Sequence, residues 1–253
     1  MENTKIEWCD STWNPVTGCY HDCPYCYARS IATRFTGNYD KKVKKPDIIE
    51  LTKPVLNDAG KRMAYPTAFI PTFHKYRLDE YKNKTSRTIF VCSMADLFGK
   101  WVPDWWIEEV FNACNAAPQH KYLFLTKNPL RYLDLGEKGK LLKGNNIWYG
   151  STVPTPETEF FWGQGFNTFM SIEPILEPFG NDNEHINLQY TQWVILGAET
   201  GNRKNKVVPE KSWIDDIVST CIRESIPIFM KDSLVPIMGE DNMIREYPWV
   251  EWN

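Results

Sequence analysis

Six short apolar runs between residues 88 and 230 constrain the fold of this 253-residue chain more than any other feature. They are Thr88–Cys92, Lys121–Leu125, Asn146–Gly150, Asn167–Ile172, Gln192–Leu196 and Ile226–Met230. Helical patterns fall between several of them, at Asp104–Ala117, Pro129–Gly136 and Lys211–Glu224, the first with Pro103 ahead of it and Asp104 as its expected cap. Continuously apolar strands separated by helices predict a parallel sheet buried on both faces. At this length the pattern predicts an α/β chain folded as a partial TIM-like (β/α)6 barrel, with additions before residue 88 and after residue 234. One domain is expected over 1–253, with 235–253 as a C-terminal extension that carries Tyr247, Trp249 and Trp252.

Each run is followed by polar groups at the same relative place. These are Ser93 and Asp96, then Thr126 and Lys127, then Ser151 and Thr152, then Glu173, then Glu199 and Thr200, and finally Lys231 and Asp232. Parallel α/β barrels carry their chemistry at the C-terminal ends of the strands, so these residues are expected to converge on a site.

Net charge narrows the partners. Lys plus Arg is 29 and Asp plus Glu is 32, a net charge of -3. Duplex binding leans on phosphate neutralisation, so nucleic acid is not the expected partner. The basic run Lys41–Lys45 reads as a solvated segment. No apolar stretch approaches the roughly 20 residues of a membrane span, and the polar start Met1–Asp10 does not read as a signal peptide. A cytoplasmic protein is expected.

Seven cysteines, an odd number without an export signal, argue against a disulfide framework. Cys92, Cys114 and Cys221 lie in apolar surroundings and read as buried structural thiols, whereas Cys19, Cys23 and Cys26 fall within eight residues. A structural zinc site wants four ligands, commonly in two pairs, and no second pair follows. Three thiolates can instead hold three irons of a [4Fe–4S] cluster and leave the fourth iron open to a small ligand.

The Cys19-x3-Cys23-x2-Cys26 spacing, with Tyr25 before the last cysteine, resembles the signature of the radical S-adenosylmethionine (SAM) superfamily. Thr12–Gly18, Cys92–Phe98, Leu125–Pro129, Ser171–Pro174 and Trp193–Gly201 resemble a subfamily first catalogued among bacteriophage proteins, over nearly the whole chain. Small bacterial members of that subfamily include the queuine lyases, which release preQ1 from the 7-deazaguanine queuine.

The resemblance implies a [4Fe–4S] cluster on Cys19, Cys23 and Cys26, in a loop over 13–30, and SAM as the source of a 5′-deoxyadenosyl radical. It implies SAM contacts from Tyr25, Ser93, Asp96, Lys127, Ser151 and Glu173, with Asp96 suited to the ammonium group and Lys127 to the carboxylate. Substrate contacts are expected from Asp10, Trp13, Asn14 and Glu199, where an acid accepts from the base edge and a ring stacks on it. Trp148 and Tyr149 are further stacking candidates, and Glu199, Lys231 and Asp232 are the expected catalytic groups. His21 reads as a surface loop residue. A flavodoxin or ferredoxin would supply electrons. Two other readings stand beside this one: a radical SAM enzyme acting on a nucleic-acid base, like photoproduct-repair lyases, and a zinc-stabilised module without catalysis.

Overall fold

In the computed structural model the described residues are 4–36, 48–180, 188 and 190–250. The chain divides into two compact units, Met1–Leu142 and Lys143–Asn253. The run Lys41–Lys45 and Trp252 lie outside the described residues.

Three strands form the parallel sheet of the first unit: β1 (Ser11–Trp13), β5 (Thr88–Val91) and β6 (Lys121–Thr126), with β5 in the middle. A smaller sheet in this unit has β4 (Thr72–His74) at its centre, antiparallel to β2 (Val16–Thr17) and parallel to β3 (Ile49–Leu51). Helix α1 (Tyr27–Phe35) follows the cysteine loop. Helices α2 (Asp104–Asn115) and α3 (Leu130–Glu137) follow β5 and β6. The apolar face of α2, with Trp106, Ile107, Val110, Phe111 and Cys114, is buried. Phe124 meets Phe98 and Phe111 edge to face there, a geometry that aromatic quadrupoles favour. Asp104 is the first residue of α2 rather than its cap. Pro103 holds the cap position, where its missing N–H costs nothing, and the Asp104 carboxylate accepts from Arg131.

In the second unit β7 (Ile147–Thr152), β8 (Asn167–Ile172), β9 (Val194–Leu196) and β10 (Ile228–Met230) run parallel in that order. Helix α4 (Lys211–Arg223) buries Ile214, Ile217 and Cys221 among Ile172, Val194, Leu196, Ile228 and Met230. Each such aliphatic side chain contributes roughly 1.5–3 kcal/mol on burial. The connection from β7 to β8 carries no helix, so the alternation expected from sequence is incomplete there. The segment after α4 and β10 returns along the outer strand. Met230 N–H donates to Ile244 O and Glu246 N–H donates to Ile228 O, while Trp193 Nε1 donates to Glu246 O. Tyr247 and Trp249 then pack on Trp193. This C-terminal segment covers the β10 edge, which would otherwise expose unpaired backbone groups.

Together these elements make an α/β fold of the partial-barrel kind, with parallel strands, and helices after β5, β6 and β9. Among the described residues no helix is long and apolar enough to cross a membrane.

Candidate functional site

The cysteine loop is fastened at both ends. Gly18 has φ +85 and donates to Met94 O at 2.8 Å, and a Cβ on it would lie 2.3 Å from Ile70 O. Only glycine fits a left-handed backbone so close to another chain segment. Cys19 N–H donates to Phe69 O at 3.2 Å. At the other end Cys26 caps α1, its sulfur accepting from Arg29 N–H at 3.4 Å. Cys19 Sγ accepts from His21 N–H at 3.5 Å. Cys19 and Cys26 rest on a small apolar cluster of Ala28, Ala32, Tyr65, Phe69 and Met94.

All three thiols are free and partly exposed. Burial pushes the Cys19 thiol up to about 12, and the negative neighbours Asp96, Cys23 and Cys26 add to the rise. Cys23 is raised by burial as well, against which the Lys127 ammonium acts. Among the described residues, no group of three or more His, Cys, Asp or Glu side chains is placed to hold a single metal ion. A cubane takes one thiolate per iron, so its ligands need not converge on one point as those of a zinc site do.

Around this loop the first unit gathers most of its expected cofactor residues. Lys127 Nζ lies 3.4 Å from the Tyr25 hydroxyl and 5.2 Å from its ring centre. Asp96 is buried between β5 and β6. Its Oδ1 accepts from Phe98 N–H at 3.0 Å and Thr126 Oγ1 at 2.8 Å. Its Oδ2 accepts from Lys127 N–H at 2.9 Å and lies 2.7 Å from His21 Nε2. Cys92 turns the chain at the end of β5 with φ +59, a left-handed conformation that costs of order 1–3 kcal/mol for a residue with a Cβ. Ser93 and Asn14 bond to each other at 3.3 Å, and Asn14 Oδ1 accepts from Met94 N–H at 2.9 Å. Asn14 thus braces the strap that holds Gly18.

Two expected substrate residues stand elsewhere. Asp10 precedes β1, and its Oδ2 accepts from Thr88 N–H at 2.7 Å. That is the N-terminal end of the parallel strands, opposite to the end that carries the cysteine loop. Trp13 is buried, its Nε1 donating to Arg77 O at 2.8 Å and its ring against Tyr81 and Tyr122. It is a core residue and offers no face for a base. His21, read as a surface residue, contacts Asp96 and the Trp101 ring instead.

Five expected groups in the second unit are already engaged. Ser151 Oγ accepts from Phe161 N–H at 2.9 Å. Lys231 Nζ donates to Glu173 Oε1, joining the ends of β10 and β8; both side chains are partly buried. Glu199 is buried after β9 and accepts from Arg203 Nε and Nη2 at 2.7 Å each. Arg203 holds the Glu199 carboxyl below the usual carboxylate range. Asp232 is exposed and pairs with Arg245 at 2.7 Å, so it faces solvent beside the C-terminal segment. Trp148 and Tyr149 are core residues, packed on Trp249 and on Phe161 and Phe166. Arg203 was legible only as the fourth residue after Glu199, a spacing without meaning until the loop is known.

No curated protein matches the sequence. Among solved structures, a spore photoproduct lyase complexed with dinucleoside spore photoproduct is similar at a TM-score of 0.44 and 10% identity, over 87% of this chain. This chain spans 63% of that one. The model of the family DUF5131, described as protein of unknown function, matches residues 3–235, and the chain belongs to that family.

Proposed function

We propose that this chain is a radical SAM enzyme that cleaves a carbon–nitrogen bond of a 7-deazaguanine base, with queuine as substrate and preQ1 as product. One observation carries the reading. Three free thiols, Cys19, Cys23 and Cys26, are presented by a single loop beside the C-terminal ends of parallel strands, and Tyr25 and Lys127 are brought together at its edge. The donor set fits an iron–sulfur cube. It is all thiol, it supplies three ligands, and backbone N–H groups of His21 and Arg29 already point at two of the sulfurs.

When bound, the cluster supplies the electron that breaks a sulfonium C–S bond of SAM and so enables hydrogen-atom abstraction. The chain's residues bind and orient. Lys127 offers a point charge to the SAM carboxylate, and the Tyr25 ring lies beside the same ammonium. Ser93 and Asn14 offer hydroxyl and amide groups at the end of β5 and β1. In the second unit Lys231, paired with Glu173, is the proton donor this reading assigns to the departing nitrogen. Glu199 shapes the loop after β9 through Arg203, and reads the base edge only if Arg203 gives way. The substrate assignment rests on the subfamily resemblance and on the net charge of -3, which disfavours a duplex.

The test is an anaerobic reaction of the iron- and sulfide-reconstituted protein with SAM, a reductant such as reduced flavodoxin or ferredoxin, and queuine, read by mass spectrometry. Appearance of 5′-deoxyadenosine together with preQ1 is expected. 5′-Deoxyadenosine without preQ1 overturns the substrate and turns attention to nucleic-acid bases. Purified protein that carries zinc and takes up no iron overturns the enzyme.

A further inference from the structure

We propose that His21 and Asp96 form a latch that positions the cysteine loop for cluster assembly, so that Asp96 serves the loop and not the ammonium group of SAM. The inference rests on the radical SAM reading above.

Asp96 is full. A carboxylate offers two oxygens and about four lone-pair sites. Phe98 N–H and Thr126 Oγ1 take Oδ1, while Lys127 N–H and His21 take Oδ2, all between 2.7 and 3.0 Å. Thr126 Oγ1 also lies 2.9 Å from Oδ2. A carboxylate only accepts, so His21 Nε2 is the donor in their bond. An ammonium ligand would have to displace one of these partners.

His21 faces both ways. Its backbone N–H reaches Cys19 Sγ at 3.5 Å, and its ring reaches Asp96 at 2.7 Å. The Trp101 ring meets the imidazole edge to face at 4.9 Å. The next residue, Asp22, has φ +56, so the loop reverses directly after the latch. One histidine therefore ties the loop between Cys19 and Cys23 to a carboxylate anchored on β6 through Thr126. A loop of three thiols without that tie would have to order itself around the metal. Partners that orient metal ligands are commonly worth 10- to 100-fold in metal affinity.

The experiment compares the wild-type chain with His21→Ala, His21→Gln and Asp96→Asn after anaerobic reconstitution. Iron and sulfide per chain, the rate of iron loss to a chelator, the electron paramagnetic resonance spectrum of the reduced cluster, and SAM affinity are measured. His21→Ala should lose iron roughly 10- to 100-fold faster than wild type, with an altered spectrum. His21→Gln, whose side-chain amide can still donate to Asp96, should restore most of the retention. The melting temperature of each apo-protein separates loss of the latch from loss of the fold, and a His21→Ala chain that melts with wild type yet sheds iron supports the latch. Two results overturn it: His21→Ala that retains iron like wild type, or Asp96→Asn that retains iron and spectrum but loses SAM affinity tenfold or more. A wild-type chain that takes up no iron and sulfide overturns the radical SAM reading, and is distinguished from failure of the latch by that control.

Discussion

Arg203 grips Glu199 through two parallel hydrogen bonds of 2.7 Å, and the carboxylate they hold is almost wholly buried while the guanidinium is not. This fork is the strongest geometry open to the two groups. It keeps Glu199 charged and holds its carboxyl below the ordinary range. A lowered folded value means that the stabilisation is present above the ordinary carboxyl range and is lost as pH falls through the folded value. Arg203→Ala should therefore lower the urea midpoint at neutral pH, and the gap to wild type should close in acid. Urea titrations at neutral pH and in acid below the ordinary carboxyl range check this; a gap of equal size at both would remove the charge from the explanation.

A second pH effect comes from His74, which is fully buried in β4 between Thr17 Oγ1 at 2.8 Å and the Tyr76 hydroxyl at 3.1 Å. Burial pulls its value down to about 2, and the Arg77 and Arg62 cations add to the fall. A depressed histidine destabilises the fold in acid, because the unfolded chain takes up a proton below about pH 6.5 and the folded chain does not. The contribution of His74 is complete at neutral pH and declines by about 1.4 kcal/mol for each pH unit below that. His74→Gln should flatten the acid limb of the stability curve, at some cost at pH 7. Urea midpoints taken across that range for both chains give the comparison.

How far these features were legible beforehand depended on distance along the chain. The series from β5 to β10 was readable because β5 to β8 run four to six mostly apolar residues, β9 and β10 lie inside the longer apolar runs Gln192–Leu196 and Ile226–Met230, and its larger helices run twelve and thirteen. β1, β2, β3 and β4 were missed, being two or three residues each, too short for a period to show. That omission misplaced Trp13 and Asp10, which look like neighbours of the cysteine loop until β1 is seen to pair with β5, with Asp10 ahead of its first residue and the Trp13 ring buried in the core. The grouping of Cys19, Cys23 and Cys26 in one loop was plain from spacing alone. The partners that determine what the site residues are free to do were not: His21 and Asp96 stand 75 positions apart, and nothing local marks either as a latch.

Trp13 gives a direct check on that correction. As a core residue its loss should cost stability and leave ligand binding alone. Trp13→Phe removes the Nε1 bond to Arg77 O and part of the packing on Tyr81 and Tyr122, together worth about 1–3 kcal/mol. The expected outcome is a lower urea midpoint with an unchanged KM for the base. An unchanged midpoint with a raised KM would return Trp13 to the substrate.

The sharpest steric constraint on the site is Gly18, and a second glycine isolates it. Gly18 has φ +85, and a Cβ there would meet Ile70 O at 2.3 Å; Gly201 has φ +89 with nothing within 4 Å. Gly201→Ala carries conformational strain alone, of order 1 kcal/mol. Gly18→Ala carries similar strain and a clash with a backbone carbonyl that cannot swing aside, so it should cost at least about 2 kcal/mol. Relief of the clash also requires Gly18 N–H to leave Met94 O, and Cys19, the next residue, moves with it. Gly18→Ala should therefore lose iron and sulfide on reconstitution, whereas Gly201→Ala should hold both at wild-type levels. Iron and sulfide analysis beside urea unfolding of the two apo-proteins makes the test. Equal behaviour of the two variants would show that the contact between Gly18 and Ile70 does not govern the cysteine loop.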